Sequence, residues 1–283
     1  MVTDKINIRD TFIPDEGCVF VRIDLSQIED RMCKMYCGTP RTIELANRRP
    51  EVYDAHTENA KLIFKKQIVT KQERFLGKKC VHASQRKMQG LRMSESVSKD
   101  TDGELFIPPK QCENLIRTYL DALHEIEEIY FPWVEKQVRN VRMLYDSWGG
   151  RFDIRNRRVD DDLYRECYSW YLQVEAARWT NQYGFIPATW WMLAKYSRPL
   201  NAQVHDEIVA SVPLLGTYEY AQFAVKSMEQ TREIPAGSGN YLCVPATTTV
   251  GRSLGDKKAV EFKVLGERDD FYEALYKGGF FEY

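Results

Sequence analysis

Two acidic motifs stand far apart in a chain of 283 residues. Asp24 ends the run Cys18-Val19-Phe20-Val21-Arg22-Ile23 and opens Asp24-Leu25-Ser26-Gln27-Ile28-Glu29. Asp206 lies between Gln203-Val204-His205 and Glu207-Ile208-Val209-Ala210-Ser211-Val212. Both flanks are rich in the β-branched residues that favour strands. Taken singly, such an Asp most often caps a helix or joins a salt bridge. Two strands laid side by side, each with one carboxylate, instead make a divalent metal site. Hard oxygen donors with open positions suit Mg²⁺ bound together with substrate phosphates. Two such ions can clamp an in-line phosphoryl displacement.

These carboxylates need elements to carry them. Residues 18–24 read as a strand and 27–38 as a helix, with Ile28, Met32, Met35 and Tyr36 on one apolar face. Gly38-Thr39-Pro40 stops that helix. Helices are expected at 41–48 and 53–66, and a long basic helical segment at 70–90. A turn at 100–103 precedes a helix over 109–146, interrupted near Pro132 and ended by Gly149-Gly150. Further helices are expected at 160–182 and 188–197, a β-hairpin at 199–213 with Asp206-Glu207 near its turn, and a strand at 243–250. Few strands separated by many helices make the class α+β.

The composition sets bounds. Hydrophobic residues make up 43% and charged residues 29%, as in a globular domain with a substantial core. The net charge of −1 does not advertise a nucleic-acid partner, although a balanced total can hide a basic cleft. No apolar run reaches the roughly 18–20 residues that cross a bilayer, and Met1-Val2-Thr3-Asp4-Lys5 lacks a signal-peptide pattern. Seven cysteines without Cys-x-x-Cys argue against a disulfide framework or structural zinc, so a cytoplasmic, reducing location is expected.

The wording around the two aspartates carries more. Asp24-Leu25-Ser26-Gln27-Ile28-Glu29 followed by His205-Asp206-Glu207 resembles the A and C motifs of the family A (DNA polymerase I-like) DNA polymerases. Ile8 to Gly17 is similar to the lead-in to motif A, and Asp54-Ala55-His56-Thr57 to a fingers motif whose His lies near the incoming triphosphate. Arg74 and Lys78 match the Arg-x-x-x-Lys of the nucleotide-binding helix, a four-residue step that puts both cations on one helical face. Met93-Ser94-Glu95-Ser96 is similar to phage members, and Arg165 and Gln173 keep an eight-residue spacing of the family. The resemblance covers residues 7–256. It implies a palm with an antiparallel sheet at 1–38 and 151–256 and helical fingers at 39–150, followed by a tail at 257–283. It implies that Asp24, Asp206 and the Leu25 carbonyl hold two Mg²⁺, with Mn²⁺ as a substitute. Arg74, Lys78, His82, His56, Gln27 and Glu29 would meet the nucleotide, with Lys78 also able to protonate the leaving group and Glu29 facing the ribose 2′ edge. Arg165, Gln173, Gln203, His205 and Arg86 would meet primer–template DNA.

The chain also departs from the pattern. His82 and Arg86-Lys87 stand where the nucleotide helix usually has an aromatic and Tyr-Gly, so Arg86 is expected to stack its guanidinium on a base. Leu25 replaces a Tyr, Val174-Glu175 replaces Gly-Thr, and Leu254 replaces a Trp. Met1 lies 23 residues before Asp24, so thumb and exonuclease are expected to be absent. A partner subunit carrying them is the corresponding expectation: the chain reads as the catalytic part of a split polymerase that adds deoxynucleotides to a primer. Alternatives are an inactive DNA-binding accessory subunit or gene fragment, and a single-subunit RNA polymerase. Gln27 and Glu29 weigh against the last, and intact Asp24, Asp206, Arg74 and Lys78 against the accessory subunit. In the tail, Phe262, Val264, Leu265, Phe271, Tyr272, Leu275 and Tyr276 are apolar anchors for the chain's own palm, a partner half or another replication protein.

Overall fold

The computed structural model describes residues 8–49 and 54–281. Its elements run β1 (Cys18–Leu25), α1 (Ile28–Cys37), α2 (Pro40–Asn47), α3 (Ala55–Phe64), α4 (Lys71–Gln85), α5 (Gly90–Asp100), α6 (Pro109–Ala122) and α7 (Phe131–Asn140). There follow β2 (Met143–Tyr145), β3 (Arg151–Asp153), α8 (Asp161–Trp179), α9 (Ile186–Tyr196), β4 (Ala202–Val204), β5 (Glu207–Pro213) and α10 (Thr217–Met228). The chain closes with β6 (Thr231–Glu233), β7 (Tyr241–Cys243), β8 (Ala246–Gly251), β9 (Val260–Phe262) and α11 (Arg268–Lys277). The class is α+β, as the sequence indicates. Tyr53, Glu282 and Tyr283 lie outside the described residues. Among those described, no helix is long and apolar enough to cross a membrane.

The chain divides into a sheet unit (residues 1–26, 176–231 and 243–283) and a helical unit (27–175 and 232–242). These limits differ from those drawn for palm and fingers: α1 and residues 151–175 cluster with the helical unit, and the tail joins the sheet unit.

In the sheet unit the strand order is β4-β5-β1-β8-β9, and every neighbouring pair is antiparallel. The middle strand, β1, buries Val19, Phe20, Val21, Ile23 and Leu25. Helix α10 packs against β1, β5 and β8 through a period-3.6 stripe that includes Tyr220, Ala221, Ala224 and Met228, all fully buried. The tail is part of this unit: β9 extends the sheet, Phe262 stacks on Phe271 with centroids 4.4 Å apart, and Leu275 and Phe280 are buried. Val264 and Tyr276, expected as anchors, are exposed.

In the helical unit the caps explain where helices begin. Thr70 and Glu73 form a reciprocal capping box at the start of α4, and Asp54 accepts from the Thr57 amide at the start of α3. Gly77 lets α4 lie against α3, because a Cβ there would sit 2.8 Å from that of Ala60. A buried ion pair, Asp30 with Lys34 at 2.5 Å, takes a further bond from Gln85 at 2.7 Å, tying α1 to α4.

Four boundaries correct the sequence reading. The segment 70–90 is not one helix: α4 stops at Gln85, Lys87 turns left-handed (φ 51), and α5 starts at Gly90. The helix over 109–146 breaks at 123–125 rather than at Pro132; a π-turn at Ile126–Tyr130 runs directly into α7 and shifts the hydrogen-bond register just before Pro132. Residues 143–145 form β2, because Arg142 turns left-handed (φ 58) after α7. From 161 to 196 the helices are continuous, joined by a π-turn at Thr180–Phe185.

Candidate functional site

The sheet unit brings the two acidic motifs onto neighbouring strands. Asp24 pairs in register with Glu207 on one side and Thr247 on the other. His205 and Asp206 form the two-residue loop between β4 and β5, with Val204 opposite Glu207. His205 takes the first loop position at φ 56, a conformation that suits such tight hairpin loops. Gln203 donates through Nε2 to the His205 carbonyl at 3.2 Å and braces the loop. The Leu25 amide donates to the Asp206 carbonyl at 3.2 Å, so the main chain itself ties one acidic motif to the other. The Ser26 amide donates to the Pro245 carbonyl at 2.8 Å, holding the end of β1 from the other side.

A third carboxyl, Glu207, joins this edge; the sequence reading noted it beside Asp206 but gave it no role. Burial pushes its carboxyl above the usual range; Arg22, 3.7 Å away, and Arg9 oppose that, and Asp206 adds to it. Burial, more than the charge of Asp206, is what disfavours the ionised form of Glu207. The donors are carboxylate and carbonyl oxygens, the hard set that Mg²⁺ and Mn²⁺ take. Among the described residues no three His, Cys, Asp or Glu side chains gather as a ready-made cage. An ion here would therefore draw on Asp24, Asp206, main-chain oxygen and substrate oxygens together. The residues fit such a group.

The helical unit gathers the predicted cations on α3 and α4. Arg74 and Lys78 are exposed on one face of α4. Arg74 is held by Asp54 through Nη2 at 2.9 Å, and its Nε also reaches Thr57 at 3.2 Å. Asp54, which thus caps α3 and aims Arg74, was legible only as part of the His56 motif. Gln27 reaches the same Asp54 at 3.5 Å, a long contact. His56 is buried, and its ring lies 6.2 Å from that of His82. Burial is the largest reason its pKa falls to about 4; Asp30 opposes this, and Lys78, His82 and Arg74 reinforce it. His56 is accordingly a neutral imidazole among cations. Its NMR ring signals should stay those of the neutral form down to about pH 5. A titration near the ordinary histidine value of about 6.5 would refute this placement.

Glu29 and Arg86 meet. Arg86 Nη2 donates to Glu29 Oε2 at 2.5 Å, and His82 Nδ1 lies 3.6 Å from the same oxygen, ion-pair range but too long for a hydrogen bond. Burial opposes ionisation of Glu29 most strongly, yet His82 and Arg86 overcome it and hold the carboxyl at about 2. Arg86 is therefore engaged with a carboxylate through one nitrogen. A cavity of about 240 Å³ beside α4 is lined by Lys78, Lys79, His82, Arg86, Met88 and Met93 among others. On α8, Arg165 pairs with Asp162 at 2.7 Å, and Gln173 is exposed. Glu175, in place of the usual small residue, is buried and accepts from the Tyr36 hydroxyl at 2.6 Å and the Ser147 amide at 2.8 Å.

The chain is similar to known proteins in sequence and in fold. Residues 2–253 match the family profile described as DNA polymerase family A. The chain is 26% identical over 246 residues to DNA polymerase I of Synechocystis sp., covering 79% of this chain and 24% of that protein. It shares the fold of the POL domain of Pol1 from M. smegmatis, solved in complex with DNA primer-template and dNTP, with a TM-score of 0.67 and 22% identity over 87% of this chain and 42% of that one. The chain thus spans about a quarter of the curated relative and less than half of the solved one. With the match extending over both acidic motifs and the helices between them, this chain belongs to DNA polymerase family A.

Proposed function

We propose that the chain carries the nucleotidyl-transfer centre of a DNA polymerase, joining deoxynucleoside triphosphates to a primer 3′-hydroxyl on a DNA template. The observation that carries this reading is the hydrogen bond from Leu25 to the Asp206 carbonyl, which sets two acidic motifs side by side on antiparallel strands. Family membership and the DNA and dNTP bound by the M. smegmatis relative support it.

In this reading Asp24, Asp206 and the Leu25 carbonyl hold two Mg²⁺, with Mn²⁺ as a substitute. Metal so held would supply acidification of the 3′-hydroxyl and neutralisation of charge on the triphosphate. Arg74 and Lys78 bind the β and γ phosphates, and Lys78 gives a proton to the departing pyrophosphate. Asp54 and Thr57 keep the Arg74 guanidinium aimed. His56, neutral, offers a ring nitrogen to phosphate without adding charge. Gln27 steadies Asp54, and Glu29 faces the 2′ edge of the ribose. Gln203 and His205 meet the primer end; Arg165 and Gln173 meet the duplex backbone and minor groove, where contacts report shape more than sequence. Palm and fingers are the functional names this reading gives to the sheet-bearing and helical parts. It also assigns the grip on the duplex to a partner bearing the thumb and exonuclease.

Primer extension with deoxynucleotides and Mg²⁺, run with and without that partner, is the test. Template-directed extension is expected, with longer products when the partner is present. Absence of extension under both conditions overturns the reading. Ordinary processivity by the chain alone overturns the partner assignment only.

A further inference from the structure

Arg86 follows the last residue of α4, one turn beyond His82, and its guanidinium reaches Glu29 in the first turn of α1. The two side chains meet at 2.5 Å and are only 27% and 23% exposed. Arg86 Nε is buried without a hydrogen-bond partner among the described residues, and the guanidinium reaches Glu29 through Nη2. His82 Nδ1 is likewise buried without a hydrogen-bond partner and lies nearest the same carboxylate oxygen.

A carboxylate free to rotate can swing aside and accept a hydrogen bond from a ribose 2′-hydroxyl, which would reward the wrong sugar. One whose Oε2 is held by a guanidinium cannot swing aside, and its bulk stays where it is. Charge-assisted bonds to Arg are short and directional, and they fix orientation as well as charge. Tyr, which the resemblance places at this position in the family, carries no charge and has only a single hydroxyl to offer.

We propose that Arg86 is a positioning residue for sugar selection: it locks Glu29 as an immobile carboxylate beside the nucleotide site, so discrimination against ribonucleotides depends on the Arg86–Glu29 ion pair. This rests on the reading of Glu29 as the residue facing the ribose. It replaces the base-stacking role that the sequence suggests for Arg86.

The experiment measures kcat/KM for single incorporation of a deoxynucleotide and of the matching ribonucleotide by the full chain, with its partner where extension requires it. Arg86→Gln should lower the deoxy-to-ribo ratio about tenfold or more, the scale of one lost hydrogen bond to a charged group. Glu29→Gln should lower it equally, and the double variant should lose no more than either single one. Arg86→Lys should restore part of the ratio, because an ammonium still pairs but without the fork. An unchanged ratio in Arg86→Gln, or additive losses in the double variant, overturns the proposal while the polymerase reading stands. A wild-type chain that incorporates neither sugar overturns both.

Discussion

Asp206→Asn reduces primer extension by about a thousandfold or more and leaves the fold intact. In the proposed reading the carboxylate would contribute metal and charge stabilisation worth several kcal/mol in the transition state, and each ~1.4 kcal/mol is tenfold in rate. The fold is expected to persist, because the Asp206 carbonyl, which accepts from Leu25 at 3.2 Å and ties the β4–β5 loop to β1, is kept in Asn. Asn also keeps the size of the residue and suits a tight turn. The change further relieves Glu207, whose carboxyl Asp206 pushes upward. Single-turnover incorporation gives the rate, and thermal melting confirms the fold. Extension within tenfold of wild type would remove Asp206 from the chemistry. A lowered melting temperature with extension lost would leave a structural role instead.

Asp30→Ala destabilises the helical unit by about 3–5 kcal/mol, the usual result of removing one partner of a buried ion pair. Lys34 would be left charged with its side chain 1% exposed, and Gln85 would lose its acceptor. Replacing both partners, as in Asp30→Leu with Lys34→Met, should instead come out near neutral, since the desolvation penalty vanishes with the charges. Chemical denaturation of the single and double variants separates these cases; equal losses in both would refute the assignment. The pair also fixes the sign of the acid response. Burial opposes ionisation of Asp30, but Lys34, His56 and Gln85 overcome it and hold the carboxyl below its ordinary value. Its stabilisation is therefore complete above the unfolded pKa of about 4 and is lost as pH falls through the lower folded value.

The sequence announced the parts of the site that lie within single motifs. Asp24, Asp206, Arg74 and Lys78 each sit in a run whose residue types state a chemistry. It did not announce pairings between segments. Arg86 was read as a base platform because periodicity says nothing of Glu29, 57 positions earlier, which claims it. Asp54 meets Arg74 across 20 positions for the same reason. In the fold, long amphipathic helices and the two motif strands were legible, whereas short strands were not. Three residues such as Met143–Tyr145 carry too little pattern to outweigh a helical neighbour, and only the left-handed turn at Arg142 separates them from α7. Helix α10 was overlooked although its stripe of Tyr220, Ala221, Ala224 and Met228 was there to be read.

The order of the sheet gives the two carboxylates unequal partners in time. Asp24 rides on β1, which is hydrogen-bonded on both sides and lies at the centre of five strands. Asp206 rides on a two-residue loop whose outer strand, β4, is only three residues long. Amides in a central strand open only when the whole unit does, whereas short margins open on their own far more often. Hydrogen exchange would accordingly be slowest around one carboxylate and much faster around the other. The platform is a fixed post facing a hinged one, and the bond from Leu25 to Asp206 is the latch between them.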